Sequence, residues 1–333
     1  MSQVRSRRFG VWRTSCTPPI AGLIALGTAL VLAGAPAAWG GAGASRRTSV
    51  GAPPREGGCA VFPASNPLNQ DISRAPADPR SASYIASIGA AAHLHPDFGA
   101  NPAYGIPYSV VGAHQPKVPI RFTEFGEESD PGPYPVPAGA PVEGAGEPGD
   151  RHVLVLQRGS CRLYEMYSAR RAGSGWEAGS GAVFNLRSNA LRPAGWTSAD
   201  AAGLPIFPLL VRYPEVRAGR IDHALRVTVA RTQRAYILPA RHVASSSSDV
   251  SLPPMGLRLR LKAGFSLAGF HGESLVVLRA LKRYGLIVAD NGSSWYITGA
   301  PDRRWSDSDL DQIKRVPGSA FEAVRSGPIH HGG

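Results

Sequence analysis

The sequence predicts a mainly β protein, an antiparallel β-sandwich or jelly-roll-like domain with a few short helices. Three observations lead there. The 333 residues include 39 glycines and 30 prolines, which supply turns and break long helices. Short apolar or alternating runs recur between long Pro/Gly loops. No regular strand–helix alternation of a doubly wound sheet is present, nor any repeat at solenoid or propeller period. A hydrophobic content of 43% supports a core and argues against wholesale disorder.

Taken in order, residues 1–44 read as a signal peptide. Arg5, Arg7, Arg8 and Arg13 form a basic n-region, Ile20 to Gly34 an apolar run, and cleavage sites follow after Ala37 or Ala44. The run is short for a membrane span. Export by the Sec route is expected; Ser6-Arg7-Arg8-Phe9 resembles a twin-arginine signal with the Phe one place early. Cleavage removes four of the 36 basic residues and none of the 24 acidic ones, so the net charge falls from +12 to +8. Residues 45–116 form a flexible leader and a loop-rich N-terminal segment. Within it Asp78 caps, and Pro79 starts, a helix of about Pro79 to Ala92.

The main β-rich domain spans 117–325, and 326–333 is a disordered tail. Strands are expected at Val118–Phe125, His152–Gln157, Cys161–Tyr167, Ala182–Leu186, His223–Ala230, Arg234–Leu238, Met255–Lys262, Leu286–Ala289 and Trp295–Thr298. Ser198 caps a helical turn over Ala199–Ala202. The clearest helix is Ser274–Tyr284, with Val277, Leu278, Leu281 and Tyr284 on one face and Gly285 at its end. Ser308–Lys314 suits a last helix.

Cys59 and Cys161 are the cysteines left after cleavage. In an exported chain they are expected to form a disulfide, with two buried free thiols as the alternative. The basic charge is spread out, with no dense block and no nucleic-acid motif, so no nucleic-acid partner is expected. An anionic envelope or extracellular polysaccharide fits better, and the mature chain has no transmembrane anchor.

Chemistry is expected at four places. Glu124, Glu127, Glu128, Asp130, Glu143, Glu147 and Asp150 lie in one stretch without Lys or Arg. Such a cluster pairs with distant arginines, binds calcium, or does acid–base work. Asp150 and His152 share a strand face, and a turn at Arg158-Gly159 or Gly159-Ser160 sets His152 opposite or diagonal to Glu165. The His then serves as acid, base or ligand, or as a buried hydrogen bond supporting the fold. His223 falls among apolar neighbours, a core or functional histidine. Asp290 and Asn291 precede Gly292 in a turn beside Trp295 and Tyr296, which with Trp176 offer platforms for sugar rings. Zincin, nucleophile-elbow, P-loop and dinucleotide motifs are missing.

The stretches Glu128–Pro135, Trp196–Leu204 and Tyr284–Gly292 resemble a family of secreted bacterial proteins of uncharacterised function, over roughly residues 60–325. The resemblance implies an exported, one-piece protein and transfers no residue role. The expectation that follows is a secreted carbohydrate-active enzyme, a polysaccharide hydrolase or lyase. Asp150, His152, Glu165 and His223 are its acid–base candidates; Trp176, Trp295, Tyr296, Asp290 and Asn291 are its substrate contacts. The alternative is a non-catalytic glycan-binding or envelope-associated protein. No cofactor is expected other than calcium.

Overall fold

In the computed structural model, residues 52–332 are described. The signal peptide and the first part of the leader lie outside them. Among the described residues the fold is sheet-rich, with several sheets and few helices, and shows no closed barrel.

A four-stranded sheet runs in the order Ser180–Asn185, Arg162–Tyr167, Val153–Gln157, Tyr108–Val111. A six-stranded sheet runs Phe321–Ala323, Arg258–Leu261, Leu286–Asn291, Leu225–Val229, Tyr296–Thr298, His95–Asp97. Both are mixed, which corrects the purely antiparallel expectation. Tyr108–Val111 lies parallel to Val153–Gln157, and Leu225–Val229 parallel to Leu286–Asn291. The strands Leu286–Asn291 and Tyr296–Thr298 do not pair with each other. They flank Leu225–Val229, and the Gly292 turn crosses its end through Gly292 N donating to Val229 O.

Alternation explains the burial of the four-stranded sheet. Leu154, Leu156 and Leu163 enter the main core, whereas Val153, Val155, Tyr164 and Met166 enter a second cluster with Tyr134 and Trp176. That second cluster is covered by a small sheet of Ile120–Phe122, Gly175–Ala178 and Arg170–Ala172. Both faces are thus apolar, and the strand reads as a continuous hydrophobic run. The six-stranded sheet shares the main core through Leu225, Val227, Leu259, Val288 and Ile297.

The predicted helix appears as Gly272–Arg283, burying Val277, Leu278 and Leu281, and the chain leaves through Gly285 at φ 69°. The N-terminal helix is shorter than expected, Ser81–Ile88. Residues from 59 onward are not a separate leader: Cys59, Val61, Phe62, Leu68 and Tyr84 join the main core. Cys59 and Cys161 form the expected disulfide, which ties this segment to the hairpin turn before Arg162. Ile329–His331, in the tail expected to be disordered, pairs with Ala235–Ile237. Among the described residues no helix is long and apolar enough to cross a membrane. The disulfide is consistent with an extracellular or periplasmic protein.

Candidate functional site

A cavity of about 430 Å³ gathers residues from seven separate segments. Glu124 and Phe125 come from the start of the acidic stretch, and Asp150 from its end. Tyr167 and Ser180 end two neighbouring strands. Thr197–Ala201 forms a wall, His242 and Ala244 another, and Asp290 and Asn291 close the site from the six-stranded sheet. The Thr197–Ala201 turn is shaped locally. Ser198 Oγ accepts from Asp200 N at 2.9 Å and donates to Leu204 O at 2.6 Å, a side chain satisfying backbone groups in place of the expected helix. Thr197 N donates to Glu128 Oε2 at 2.9 Å.

Behind the cavity lies a buried charge network. Arg226 is 4% exposed and its fork engages Asp200, Nε to Oδ2 at 3.1 Å and Nη2 to Oδ1 at 2.9 Å. Its Nη1 donates to Thr298 Oγ1 at 2.7 Å, and Nη2 lies 3.5 Å from Asp290 Oδ2. Two carboxylates therefore share one guanidinium. Burial and the charge of Asp200 push Asp290 up to about 7, against the pull of Arg226 and the Asn291 amide. The proton affinity of a carboxyl group on the cavity wall is thus raised.

His152, 2% exposed, sits between two acceptors. Its Nδ1 lies 2.6 Å from Glu143 Oε2 and its Nε2 2.9 Å from Ala199 O. A carboxylate and a carbonyl only accept, so both ring nitrogens donate and the ring is an imidazolium. Burial alone would push its pKa down, but the Glu143 carboxylate outweighs burial and raises it to about 9. The ring thereby clamps the residue next to Asp200 to the strand that follows Asp150.

The predicted site residues divide. Asp150, Asp290 and Asn291 line the cavity. His152 stands behind it. The hairpin register is that of the Gly159-Ser160 turn, with Gln157 opposite Arg162 and Leu154 opposite Glu165, so Glu165 is diagonal to His152 as expected. Yet the two do not bond. Glu165 is 0% exposed on the core face and accepts from the Ile206 and Phe207 amides. His223 is fully buried between the Ala224 carbonyl, Arg212 and Glu215. Burial alone would raise Glu215, but Arg212 and His223 hold it down at about 2. Trp176 and Trp295 are core residues, the latter donating to Gly89 O at 2.8 Å. Neither offers a sugar platform: Trp176 faces a packed layer from its strand, and Trp295, in the turn before Tyr296, packs its ring against Phe321. Tyr296 is half-buried and stacked on His95, away from the cavity.

Asp200, Arg226, Tyr167 and Phe125 were missed. An arginine inside Leu225-Arg226-Val227 was the available signal, since a charge in an apolar strand needs a partner. The acidic stretch disperses: Glu143 pairs with His152, Asp130 with Arg192, and Glu128 caps Thr197 N. Among the described residues no group of three or more His, Cys, Asp or Glu is arranged to hold a metal ion, so the calcium reading gains no geometric support.

No family model matches this chain, and no curated protein or solved structure is significantly similar to it.

Proposed function

We propose that the acid-lined cavity is the active site of a secreted hydrolase acting on neutral or amino-bearing glycan chains. The observation that supports this reading is Asp290, a carboxyl group on a cavity wall whose proton affinity is raised to near neutrality by burial and by Asp200. A group so poised gives a proton to a departing oxygen and takes one from water in turn. Asp150, an exposed carboxylate in the same cavity, is the second acid that glycosidic hydrolysis uses. Asp200 and Arg226 hold Asp290 in place and set its proton affinity. Phe125, 41% exposed, and Tyr167 give the cavity apolar ring surface for a sugar.

The same lining argues for hydrolysis over elimination. A lyase must accept a uronate, and here the wall carries Glu124, Asp150 and Asp290. Arg226 is already committed to Asp200, Thr298 and Asp290. An anionic sugar would meet these carboxyl groups, and among the described residues the lining holds no Lys or Arg to offset them.

Incubation of the purified protein with a polysaccharide panel, with mass spectrometry of soluble products, tests this. Hydrolysed oligosaccharides are expected from the native protein, and at least a hundredfold fewer from Asp290→Asn. Products of unchanged yield from the folded variant refute the assignment. Binding without any turnover leaves the glycan-binding alternative.

A further inference from the structure

A single cross-strand rung runs from the acid cavity to a second cavity. Asp290 pairs with Thr228, Thr228 with Tyr296, and Tyr296 with His95. Paired residues in a sheet project from the same face. All four are half-buried, whereas Val227, Val229, Ala289, Ile297 and Leu94, their neighbours in sequence along the same strands, are fully buried. The rung is therefore a polar, partly open row over an apolar underside. At ~4.8 Å between strands, it carries the row ~14 Å from Asp290 to His95.

The far end opens into a cavity of about 380 Å³, where His95 lies with Phe98, Asn101, Tyr104 and Asp307. The His95 ring stacks on Tyr296, centroids 4.1 Å apart and planes 18° from parallel. Neither ring nitrogen of His95 has a hydrogen-bond partner among the described residues, and burial and Lys314 lower its pKa. The neutral ring, which that shift favours, has one donor and one acceptor to offer. Asn101 spends its Oδ1 on Ala103 N, leaving the amide NH₂. Asp307 spends Oδ1 on Ala100 N, leaving Oδ2. Tyr104 is 58% exposed beside them. Asp311 and Lys314, also on the wall, pair with each other at 2.6 Å. The remaining donors and acceptors, a ring, an amide and a carboxyl oxygen beside an open aromatic ring, match a hydroxyl-rich sugar ring.

We propose that the His95–Asn101–Tyr104 cavity is a saccharide-binding subsite that holds the same glycan chain at a distance from Asp290. Tyr104 stacks on a sugar ring, and His95, Asn101 and Asp307 bond its hydroxyls. The subsite rests on the glycan reading of the Asp290 cavity, and gives it a preference for long chains over short ones. It also gives the half-buried Tyr296 a task, supporting the His95 ring from below.

The test is calorimetric titration of the purified protein carrying Asp290→Asn, so that no probe is cut, with cellohexaose, chitohexaose, maltohexaose and mannohexaose. Three further substitutions are compared in that background. Tyr104→Ala removes an exposed ring. His95→Phe keeps the stack on Tyr296 but deletes both ring nitrogens. Asn101→Asp keeps the acceptor for Ala103 N but deletes the free NH₂. At least one probe is expected to bind, and each substitution to weaken it about tenfold. A probe that binds equally well to all three overturns the subsite and leaves the Asp290 site standing. Failure of every probe to bind the folded protein overturns the subsite. If the polysaccharide panel also yields no product, the glycan reading falls with it.

Discussion

Replacing Glu165 by Gln should change the pH dependence of folding more than it changes any single contact. Glu165 is fully buried, opposite Leu154 on one side and Ala182 on the other. Its carboxylate is held by amides alone: Ile206 N reaches both oxygens at 3.0 and 2.9 Å, and Phe207 N reaches Oε1 at 2.8 Å. Burial pushes its pKa from the ordinary 4.5 up to about 7, with Asp200 adding to the rise and the two amides and His152 opposing it. Between those values the folded protein holds a proton that the unfolded chain has lost. Stability therefore falls as pH rises through this window. At ~1.4 kcal/mol per pH unit over ~2.5 units, the loss is about 3 kcal/mol.

Gln does not titrate. Its Oε1 keeps the bonds to both amides, while its NH₂ replaces the oxygen that also faced Ile206 N. That mismatch costs about 1 kcal/mol at every pH. The variant should thus be less stable than the native protein at pH 4 and more stable at pH 8.5, with the difference shifting by about 3 kcal/mol between them. Guanidinium unfolding followed by Trp fluorescence at both pH values measures it. A stability difference that is the same at pH 4 and pH 8.5 would show that no charge is stored at Glu165, and the burial argument would fail.

Two other predictions follow from the same accounting. His152 has a folded pKa of about 9 against an ordinary 6.5, so its contribution is complete below 6.5 and is lost as pH rises through 9, about 3 kcal/mol in all. Glu143→Gln should remove that alkaline loss and destabilise the protein at pH 6; melting curves at pH 6 and 9.5 that keep the native spacing between them would count against it. The Cys59–Cys161 disulfide closes a loop across a sequence separation of 102, so the double Cys→Ala variant should lose about 4–5 kcal/mol by the loop-closure argument. A measured loss under about 1 kcal/mol would mean that the reduced unfolded chain is already compact.

The sequence revealed the elements with a strong local signal: the single buried face of the Gly272–Arg283 helix, and the continuous apolar run of the Val153–Tyr167 hairpin, which is buried on both faces. It hid the short strands His95–Asp97 and Tyr108–Val111, because three or four residues between prolines and glycines carry too little periodicity. Parallel pairing was equally hidden, since it depends on partners far apart in the chain. At the site, Asp150, His152, Asp290 and Asn291 were legible as polar residues ending apolar runs. Glu165 and His223 carried the same signal for a different reason: each satisfies buried backbone or charge, and the sequence does not distinguish a carboxylate that faces amides from one that faces a cavity. Asp200 and Arg226 are 26 residues apart and meet only when the Thr197–Ala201 turn folds against the six-stranded sheet.

This last contact links folding to the chemistry of the cavity. Asp200 and Asp290 come from different segments and have one guanidinium between them. Arg226 makes two bonds to Asp200 and lies farther from Asp290, so the pair is unequal by geometry. One carboxylate is fixed as the counter-ion; the other feels its negative charge and is left only partly compensated. His152 supports this inequality from the opposite side by holding the Ala199 carbonyl, one residue from Asp200. If the turn moved away, Asp290 would take the whole of Arg226 and its proton affinity would drop toward that of an ordinary paired acid. The raised proton affinity at Asp290 is thus a property of the folded turn as much as of the residue, and it lasts only while the turn is in place.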